Sequence, residues 1–441
     1  MIRFGGNGAR AASDEPEAEH FELRVHETPE DEPLVAHIEA DAEILVEKKP
    51  AAAAAPTKIL FLDGVRGLAA ILVVTQHSHE YMQDLNLGAC AVDSFFVLSS
   101  FLLTMLFMKK SMRLLAQNAS YRKWAFILAD YFSKRFFRVY PLFALTAIVL
   151  WLLPIEGKRR YYLIEEPEQF DLFKVLTFDF DQRYFVLWTL PLEISYYFFI
   201  PAFVLVVLRL RRFWWVSFIP LYAWIVHEGW YTYRWDHQQL GPHLPTFLAG
   251  SMAAVLFVKL DAWIKSTGFE FRQTHTRVIR SVEYATVALL LSLSFRGLFF
   301  NWVHDNIAPT EPGFPFISVL LTLVFVIEMI LPSAVSSIFE WSVFRYWGKI
   351  SFSAYLLHGF VIYADAVGRQ HNYYDRMLSR FGLILLLATA SYRLVEYPSQ
   401  LLAQRITRAL AEQELKGSYA VVGFPASNNH AQEATPRALH A

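Results

Sequence analysis

The chain has 441 residues, of which 55% are hydrophobic, 16% aromatic and only 18% charged, and its mean hydropathy is +0.29. Soluble domains usually carry about 25% charged residues, so this composition excludes an ordinary soluble protein and indicates a membrane protein. The formal net charge of −1 gives no support to nucleic-acid binding, because domains of that class usually carry a marked basic excess.

The net charge of the chain is small because two segments of opposite net charge nearly cancel. Residues 1–57 contain 5 Lys and Arg against 13 Asp and Glu, a net charge of −8, whereas residues 58–441 contain 35 against 28, a net charge of +7. The polar composition of segment 1–57 predicts a disordered acidic tail, without the apolar core of a secretory signal; a short partner-binding helix within it is the alternative. We predict a membrane domain at 58–398 and a cytosolic C-terminal tail at 399–441.

Ten apolar stretches follow the acidic tail, each near the length of about 20 residues that a helix needs to cross a bilayer. We predict transmembrane helices at 59–79, 90–108, 139–154, 185–208, 213–228, 243–258, 282–300, 314–332, 350–368 and 377–397. The expected fold class is therefore all-α, a polytopic membrane helix bundle with about ten transmembrane helices.

The loops between these stretches predict the orientation. With the N-terminus in the cytosol, the inside loops contain 18 Lys and Arg and the outside loops contain 7. Basic residues concentrate on the cytosolic side of membrane proteins, so both termini are predicted to be cytosolic.

The first span carries three ionisable side chains, which are costly in a bilayer and usually face the interior of a bundle. Arg66 and His77 are 11 residues apart, so they share a helix face at a separation of about 16 Å along the axis. Asp63 lies near the same face. This stripe fits a reactive site, and it also fits an Asp63–Arg66 ion pair with a merely hydrogen-bonded histidine. Gly64 and Gly67 allow close approach by a neighbour or a ligand.

The next two spans add an acid and two bases. Asp93 at the outer start of the second span suits either a helix cap or a catalytic role. Arg135 and Arg138 open the third span with i, i+3 spacing and so share a face. Two guanidinium groups at one point suit a phosphate or pyrophosphate, and they also suit ordinary anchoring at the cytosolic interface.

Further ionisable residues lie in the later spans. Glu193 lies in an aromatic stretch between two prolines, where a carboxylate must be paired or protonated. Glu328 and His358 also fall inside apolar stretches. Arg393 and Glu396 have i, i+3 spacing and are expected to pair.

The sequence gives no indication of a metal centre. Cys90 is the single cysteine, His77 and His79 are the one close histidine pair, and no HExxH motif occurs. A phosphate-binding glycine-rich loop and a GxSxG nucleophile motif are likewise absent from the sequence. We therefore expect no metal and no permanently bound cofactor.

Seven fragments in order resemble the membrane acyltransferase-3 family of ten-span O-acyltransferases, over about residues 58–398. They are LDGVRGLA with QHS, VDSFFVLSSFLLT, KRFFRVYPLF, LWTLPLE with YFFIP, LPTFLAG, KISFSAYLLHGF and YRLVEYP. Some members of the family carry an added extracytoplasmic hydrolase-like domain, which we do not expect here. One departure is Ser100, where the family pattern usually has glycine.

The resemblance implies transfer of an acyl group, often acetyl, from acyl-CoA to a hydroxyl. Its Arg, ten residues, His motif falls on Arg66 and His77, and its Arg-x-x-Arg motif falls on Arg135 and Arg138. The glutamate of its W-x-L-x-x-E motif falls on Glu193. The acceptor implied is a hydroxyl of a sugar, a glycolipid or a small secondary metabolite.

A mechanism follows as a hypothesis. The two arginines of the third span would hold the CoA phosphates, His77 would act as general base on the acceptor, and Glu193 would orient its imidazole. An acyl-enzyme intermediate, and lesser roles for Asp93, His358 and Glu396, stay open. A proton-coupled transporter is the alternative function, since His77, Glu193, Glu328 and His358 also suit a proton relay. A scaffold with a recruiting acidic tail is a third reading.

Overall fold

A computed structural model describes residues 57–82, 85, 87–182, 184–231, 240–295, 297–300 and 315–422. The predicted disordered tail lies outside the described residues except for Thr57, and so does the part of the predicted C-terminal tail beyond Val422. The described part is helical and contains no strand, which confirms the all-α class for it.

The helices follow one another with short connections. Their bounds are α1 Thr57–His77, α2 Leu87–Ala116, α3 Tyr121–Leu152, α4 Ile155–Tyr162, α5 Leu172–Leu176, α6 Thr189–Arg209, α7 Trp214–Tyr231, α8 Leu240–Thr267, α9 Gln273–Ser294, α10 Pro315–Ile330, α11 Ala334–Phe339, α12 Ser342–Lys349, α13 Ser351–Ile362, α14 Asp365–Gly368, α15 Tyr373–Ser391 and α16 Tyr397–Val422. A π-helical turn, Tyr392–Glu396, joins α15 to α16, and a 3₁₀ turn, Phe185–Trp188, precedes α6.

Six segments of the described chain are long and apolar enough to cross a membrane. They are Leu60–His77, Leu87–Ala116, Tyr121–Leu152, Phe185–Arg209, Leu240–Thr267 and Tyr373–Glu414. Two shorter apolar helices, Ile317–Ile330 and Ser351–Ile362, accompany them. Each predicted span overlaps a helix of the described chain, but the span 350–368 is divided between α13 and α14 and several helices are short. The number of ten and the sides of the termini therefore stay predictions.

Two helices extend well beyond the predicted spans. α3 begins at Tyr121, eighteen residues before the predicted start at 139, where Ser120 caps it by accepting a hydrogen bond from the Lys123 amide at 3.4 Å. α15 continues through the π-helical turn into α16 as far as Val422, along the flank of α3. In both cases the helix runs past the apolar stretch into polar sequence, which hydropathy does not register.

Helix α2 forms the centre of the bundle. It packs against α1, α6, α8 and α10, and its buried side chains include Leu98, Phe101 and Met105. A helix that is apolar on all faces is expected to be enclosed by others, which is the environment that α2 has.

Glycines bring the backbone of α1 into contact with those of α11 and α12. A Cβ built on Gly64 would lie 1.8 Å from the Phe339 carbonyl oxygen, and one on Gly67 would lie 1.9 Å from that of Phe344. On the facing helix, a Cβ on Gly348 would lie 2.0 Å from the Asp63 carbonyl oxygen. The small residues of the first span therefore admit a neighbouring helix, which fixes α1 at the level of Asp63 and Arg66.

Candidate active site

Asp63 and Arg66 form a buried ion pair near the start of α1. Arg66 Nη1 donates to Asp63 Oδ1 at 3.1 Å, and both side chains are more than nine-tenths buried. The i, i+3 spacing produces this contact directly, as the sequence predicts. His77 is the last residue of α1, three turns further along.

A cavity of about 100 Å³ lies between α1, α2, α3, α6 and α13. Four of the predicted site residues line it: Arg66, Arg135, Arg138 and Glu193. Ser99 and Tyr197 complete its polar wall, and the rest of the lining is mainly apolar. The structure thus gathers four charged side chains from three helices, α1, α3 and α6, around one cavity, which we call the arginine cavity.

Arg135 and Arg138 enter this cavity without a carboxylate partner in the part of the chain that the structure describes. Arg135 is buried, and its Nε makes no hydrogen bond there. A buried guanidinium without a partner is energetically costly, and an anion bound in the cavity offsets that cost. Arg135 is therefore a candidate for binding an anion in this cavity.

Glu193 is held inside the arginine cavity by two hydroxyl groups. Ser99 Oγ donates to its Oε1 at 2.6 Å, and Tyr197 OH donates to the same atom at 2.5 Å. Tyr197 lies one turn after Glu193 on α6, so the helix itself supplies one of the two donors. The carboxylate lines the same cavity as the guanidinium groups, and its role in orienting His77 stays a prediction.

His358 contacts His77 instead. His77 Nδ1 lies 3.0 Å from His358 Nε2, and the two rings are stacked with centroids 5.0 Å apart. The other nitrogen of His358, Nδ1, lies 2.7 Å from the Tyr355 carbonyl oxygen and 3.2 Å from that of Ala354. His358 is completely buried and His77 is half-buried. We call these two residues the histidine pair.

Phe185 packs against both rings of the histidine pair. Its ring centroid is 4.9 Å from that of His77 and 5.3 Å from that of His358. Its φ is +37°, a value that a bulky side chain rarely adopts and that the surrounding packing must enforce. Strained backbone of this kind is commonly found at functional sites.

Tyr355 connects the two parts of the site. Its side chain lines the arginine cavity, and its ring centroid is 6.2 Å from that of His358. His77 is not among the residues that line the cavity. Tyr355 is therefore the cavity residue whose ring also lies beside the histidine pair.

The remaining ionisable candidates have other surroundings. Asp93 is buried in α2 but does not line the arginine cavity. Glu396 accepts a hydrogen bond from Ser353 Oγ, whereas Arg393 is exposed, so the expected Arg393–Glu396 pair is wrong. The reason is the π-helical turn, which rotates residues i and i+3 away from the alignment that they have in an α-helix.

Glu328 has a structural role at the start of α11. It accepts hydrogen bonds from the backbone amides of Ser333 and Ser336 at 2.9 and 3.1 Å and from Arg280 at 2.9 Å. These contacts join α9, α10 and α11. They do not connect Glu328 to Glu193 or to the histidine pair, so the relay on which the transporter alternative rests is not continuous through it.

Sequence reasoning missed three participants. Ser99, Tyr197 and Phe185 carried no charge that singled them out, although the i, i+4 spacing of Glu193 and Tyr197 could have revealed that contact. The pairing of His77 with His358 joins residues 281 positions apart, and no local pattern indicates it. Within the described residues, no group of three His, Cys, Asp or Glu side chains is arranged to hold a metal ion.

Comparisons with known proteins identify the family of the chain. The acyltransferase-3 family model, described as an acyltransferase domain, matches residues 59–392. Relatives from Staphylococcus aureus strains COL and MSSA476, provisionally named O-acetyltransferases, are each 26% identical over 76% of this chain and 56% of their own length. The chain therefore spans little more than half the length of those relatives.

A third relative is "Protein 2 in picA locus" of Rhizobium radiobacter, which is 34% identical over 22% of this chain and 45% of its own length. No solved structure matches the chain significantly. The family match covers most of the membrane body and includes all the residues that line the arginine cavity, together with the histidine pair. The chain is an integral multi-pass membrane protein that belongs to the acyltransferase-3 family.

Proposed function

We propose that the protein transfers an acyl group, in the first place acetyl, from acyl-CoA to a hydroxyl of a sugar, a glycolipid or a small secondary metabolite. The observation that carries the proposal is the combination of two sites. A cavity lined by Arg135 and Arg138, which form no ion pair within the described residues, suits the anionic end of a donor. A hydrogen-bonded imidazole lies about three helical turns from Arg66 on α1.

The arginine cavity is suited to the phosphates of CoA. Arg135 and Arg138 offer forked donors that match phosphate oxygens, whereas Arg66 is already paired with Asp63. The separation of about 16 Å between Arg66 and His77 is comparable with an extended phosphopantetheine arm. The donor would thus extend from the arginines past Tyr355, with its thioester at the histidine pair.

The chemistry assigned to His77 is general acid–base catalysis. His77 Nε2 takes the proton of the acceptor hydroxyl while the hydroxyl oxygen attacks the thioester carbonyl carbon. The carbon–sulfur bond then breaks, and the proton on His77 passes to the departing CoA sulfur, so the enzyme ends in its starting state. No metal takes part in these steps as proposed, and the donor is a substrate rather than a resident cofactor.

The predicted orientation of the protein in the membrane favours entry of the donor and the acceptor from opposite sides. The basic loops predict that the start of α1 and of α3 face the cytosol, where acyl-CoA is produced. The acceptor would then reach His77 from the opposite side, since His77 ends α1. This arrangement separates the donor entrance from the acceptor entrance, as expected for an enzyme that modifies extracytoplasmic or lipid-borne hydroxyl groups.

The proposal is tested with the full chain purified in lipid nanodiscs, acetyl-CoA and a panel of sugars and glycolipids, with free CoA and acetylated product measured together. We expect both to appear in equal amounts and to be lost in His77→Asn. His79→Asn is the matched control, because His79 is exposed two residues away and asparagine tolerates its φ of +52°. Full activity of His77→Asn would overturn the role of His77, and solute movement without CoA release would favour the transporter.

A further inference from the structure

We propose that His358 is a positioning residue that fixes which nitrogen of His77 carries the proton. This inference rests on the proposed function of His77 as general base, but it is stated about the resting protein and can be tested without turnover. The relationship that carries it is the hydrogen-bond sequence from two backbone carbonyls through His358 to His77.

The proton on His358 is located by its backbone partners. Carbonyl oxygens accept hydrogen bonds and cannot donate them, so His358 Nδ1, which faces the Tyr355 and Ala354 carbonyls, must carry a proton. A neutral imidazole has one N–H, so Nε2 of His358 is then an acceptor. Complete burial among aromatic rings, with no carboxylate among its hydrogen-bond partners, favours the neutral ring.

The proton on His77 follows from that of His358. Because His358 Nε2 accepts, His77 Nδ1 at 3.0 Å must donate, and His77 Nδ1 carries the proton. In neutral His77 the unprotonated nitrogen is therefore Nε2, the atom that the proposed reaction needs as base. Without His358, this hydrogen bond would no longer favour the Nδ1-protonated tautomer, and any His77 protonated at Nε2 would present an N–H to the acceptor.

The packing around His358 keeps this geometry rigid. A Cβ on Gly359 would lie 3.0 Å from Phe185 Cε1 and 2.6 Å from the Tyr161 carbonyl oxygen, so α13 is closely enclosed on this side. His358 thus has little freedom to turn away from its two carbonyl partners.

The neutral partner has a chemical consequence. An orienting carboxylate would stabilise the imidazolium form of His77 by charge, whereas His358 stabilises it only by accepting a hydrogen bond. The contribution of His358 to the imidazolium form is therefore smaller than that of a carboxylate. A thiolate leaving group tolerates this, because it needs less assistance from an acid than an amine does.

Two variants separate positioning from packing. His358→Leu keeps a similar volume but cannot accept a hydrogen bond, and His358→Gln retains an acceptor oxygen. We expect kcat to fall by about 100-fold or more in His358→Leu, with the KM for acyl-CoA within about twofold of the wild type, and to recover at least about tenfold in His358→Gln. The pH at which kcat/KM reaches half its maximum should shift in the leucine variant and return towards the wild-type value in the glutamine variant.

Tyr162→Phe is the control for a packing defect, because it removes a hydrogen bond to the same helix without touching the pair. We expect it to lower thermal stability while leaving the pH profile unchanged. A glutamine variant no better than the leucine variant, with unchanged pH profiles in both, would overturn the positioning role.

A direct readout is independent of catalysis. The full chain, labelled with ¹⁵N-histidine and assigned with His77→Asn, reports the tautomer of His77 by the nitrogen chemical shifts. We expect a protonated Nδ1 in the wild type and a mixture in His358→Leu. A protonated Nε2 in the wild type would overturn the inference even if transfer activity were confirmed, and a protonated Nδ1 would support it even if no acceptor were acylated.

Discussion

Gly250 of α8 faces Ser100 of α2 at the centre of the bundle. A Cβ built on Gly250 would lie 2.0 Å from Ser100 Oγ and 2.7 Å from the Val97 carbonyl oxygen. Ser100 Oγ donates to the Phe96 carbonyl at 2.8 Å and lies 3.1 Å from that of Val97, so its hydroxyl is satisfied within its own helix. This contact accommodates the serine that stands where the family pattern usually has glycine, because the facing residue has no side chain.

Gly250→Ala should therefore destabilise the protein. Overpacking at a close helix contact costs about 2 kcal/mol, since either the helices separate or the side chains leave their preferred rotamers. Ser100→Gly in the same chain should restore only part of the loss, because the Val97 carbonyl stays in place. Thermal unfolding of the purified protein measures both effects.

Gly382→Ala is the matched control for this substitution. Gly382 lies in α15, and a Cβ built there meets nothing within 4 Å. Alanine at such a position should be neutral or stabilising by up to about 1 kcal/mol, because glycine is the poorer helix former. Equal stability of the two alanine variants would contradict the close contact between α2 and α8.

The arginine cavity predicts a selective effect on donor binding. Replacing Arg135 and Arg138 together with alanine should raise the KM for acetyl-CoA by about 100-fold, because each guanidinium–phosphate contact is worth roughly 1.5–3 kcal/mol. Acetyl-pantetheine, which has no phosphate, should show little change. Steady-state kinetics with the two donors provide the measurement.

Arg122→Ala provides the control for charge alone. Arg122 lies on the same helix but outside the cavity, where it donates to the Gln413 carbonyl at 3.2 Å. Its loss should leave the KM for both donors near the wild-type value. If the double arginine variant raised only the KM for the acceptor, the phosphate assignment would be wrong.

The sequence predicted the positions of those helices that contain a long apolar stretch. Each predicted span overlaps a helix, since a helix satisfies the backbone polar groups of an apolar segment in a bilayer. The residues at which these helices begin and end were less predictable. α3 begins at Tyr121 within a basic stretch, and α16 extends to Val422, because helices that pack against each other outside the apolar region leave no hydropathy signal.

The sequence predicted which residues belong to the candidate site, but it did not predict which of them contact one another. Charge in an apolar environment singled out Arg66, Arg135, Arg138 and Glu193, and all four line one cavity. The grouping of Glu193 with the arginines, and of His77 with His358, depends on how five helices pack. Sequence spacing reports neighbours on one helix, so it found Asp63 with Arg66 but could not find contacts between helices.

Glu193 offers a test between its observed and its expected partners. In the arginine cavity its negative charge opposes an anionic donor, so Glu193→Gln should lower the dissociation constant for CoA by about tenfold, or about 1.4 kcal/mol. Slower release of CoA should then reduce kcat. A role in orienting His77 predicts a lower kcat with unchanged CoA affinity. Isothermal titration with CoA, alongside steady-state kinetics, distinguishes the two.

A separate charge cluster holds the segment that follows the histidine of α1. Glu80 accepts hydrogen bonds from Arg376 Nε at 3.0 Å and from Arg380 Nη2 at 3.1 Å, and Arg380 Nη1 also donates to Tyr81 OH at 3.3 Å. Partial burial would raise the pKa of Glu80, but the hydrogen bonds from Arg380 and Arg376 outweigh it and hold this pKa below its ordinary value of 4.5. The cluster fixes the connection between His77 and the start of α15.

Because the folded protein lowers the pKa of Glu80, the carboxylate contributes stability that is fully present above pH 4.5 and is lost as the pH falls through the lowered pKa. Glu80→Gln should be less stable than the wild type near neutral pH by about 1 kcal/mol, since the group is partly exposed. The difference should shrink progressively below pH 4.5, because both proteins are then uncharged at this position. Thermal unfolding of the two proteins across a pH series measures it, and a difference that stayed constant down to the lowest pH would show that the ion pairs do not stabilise the fold.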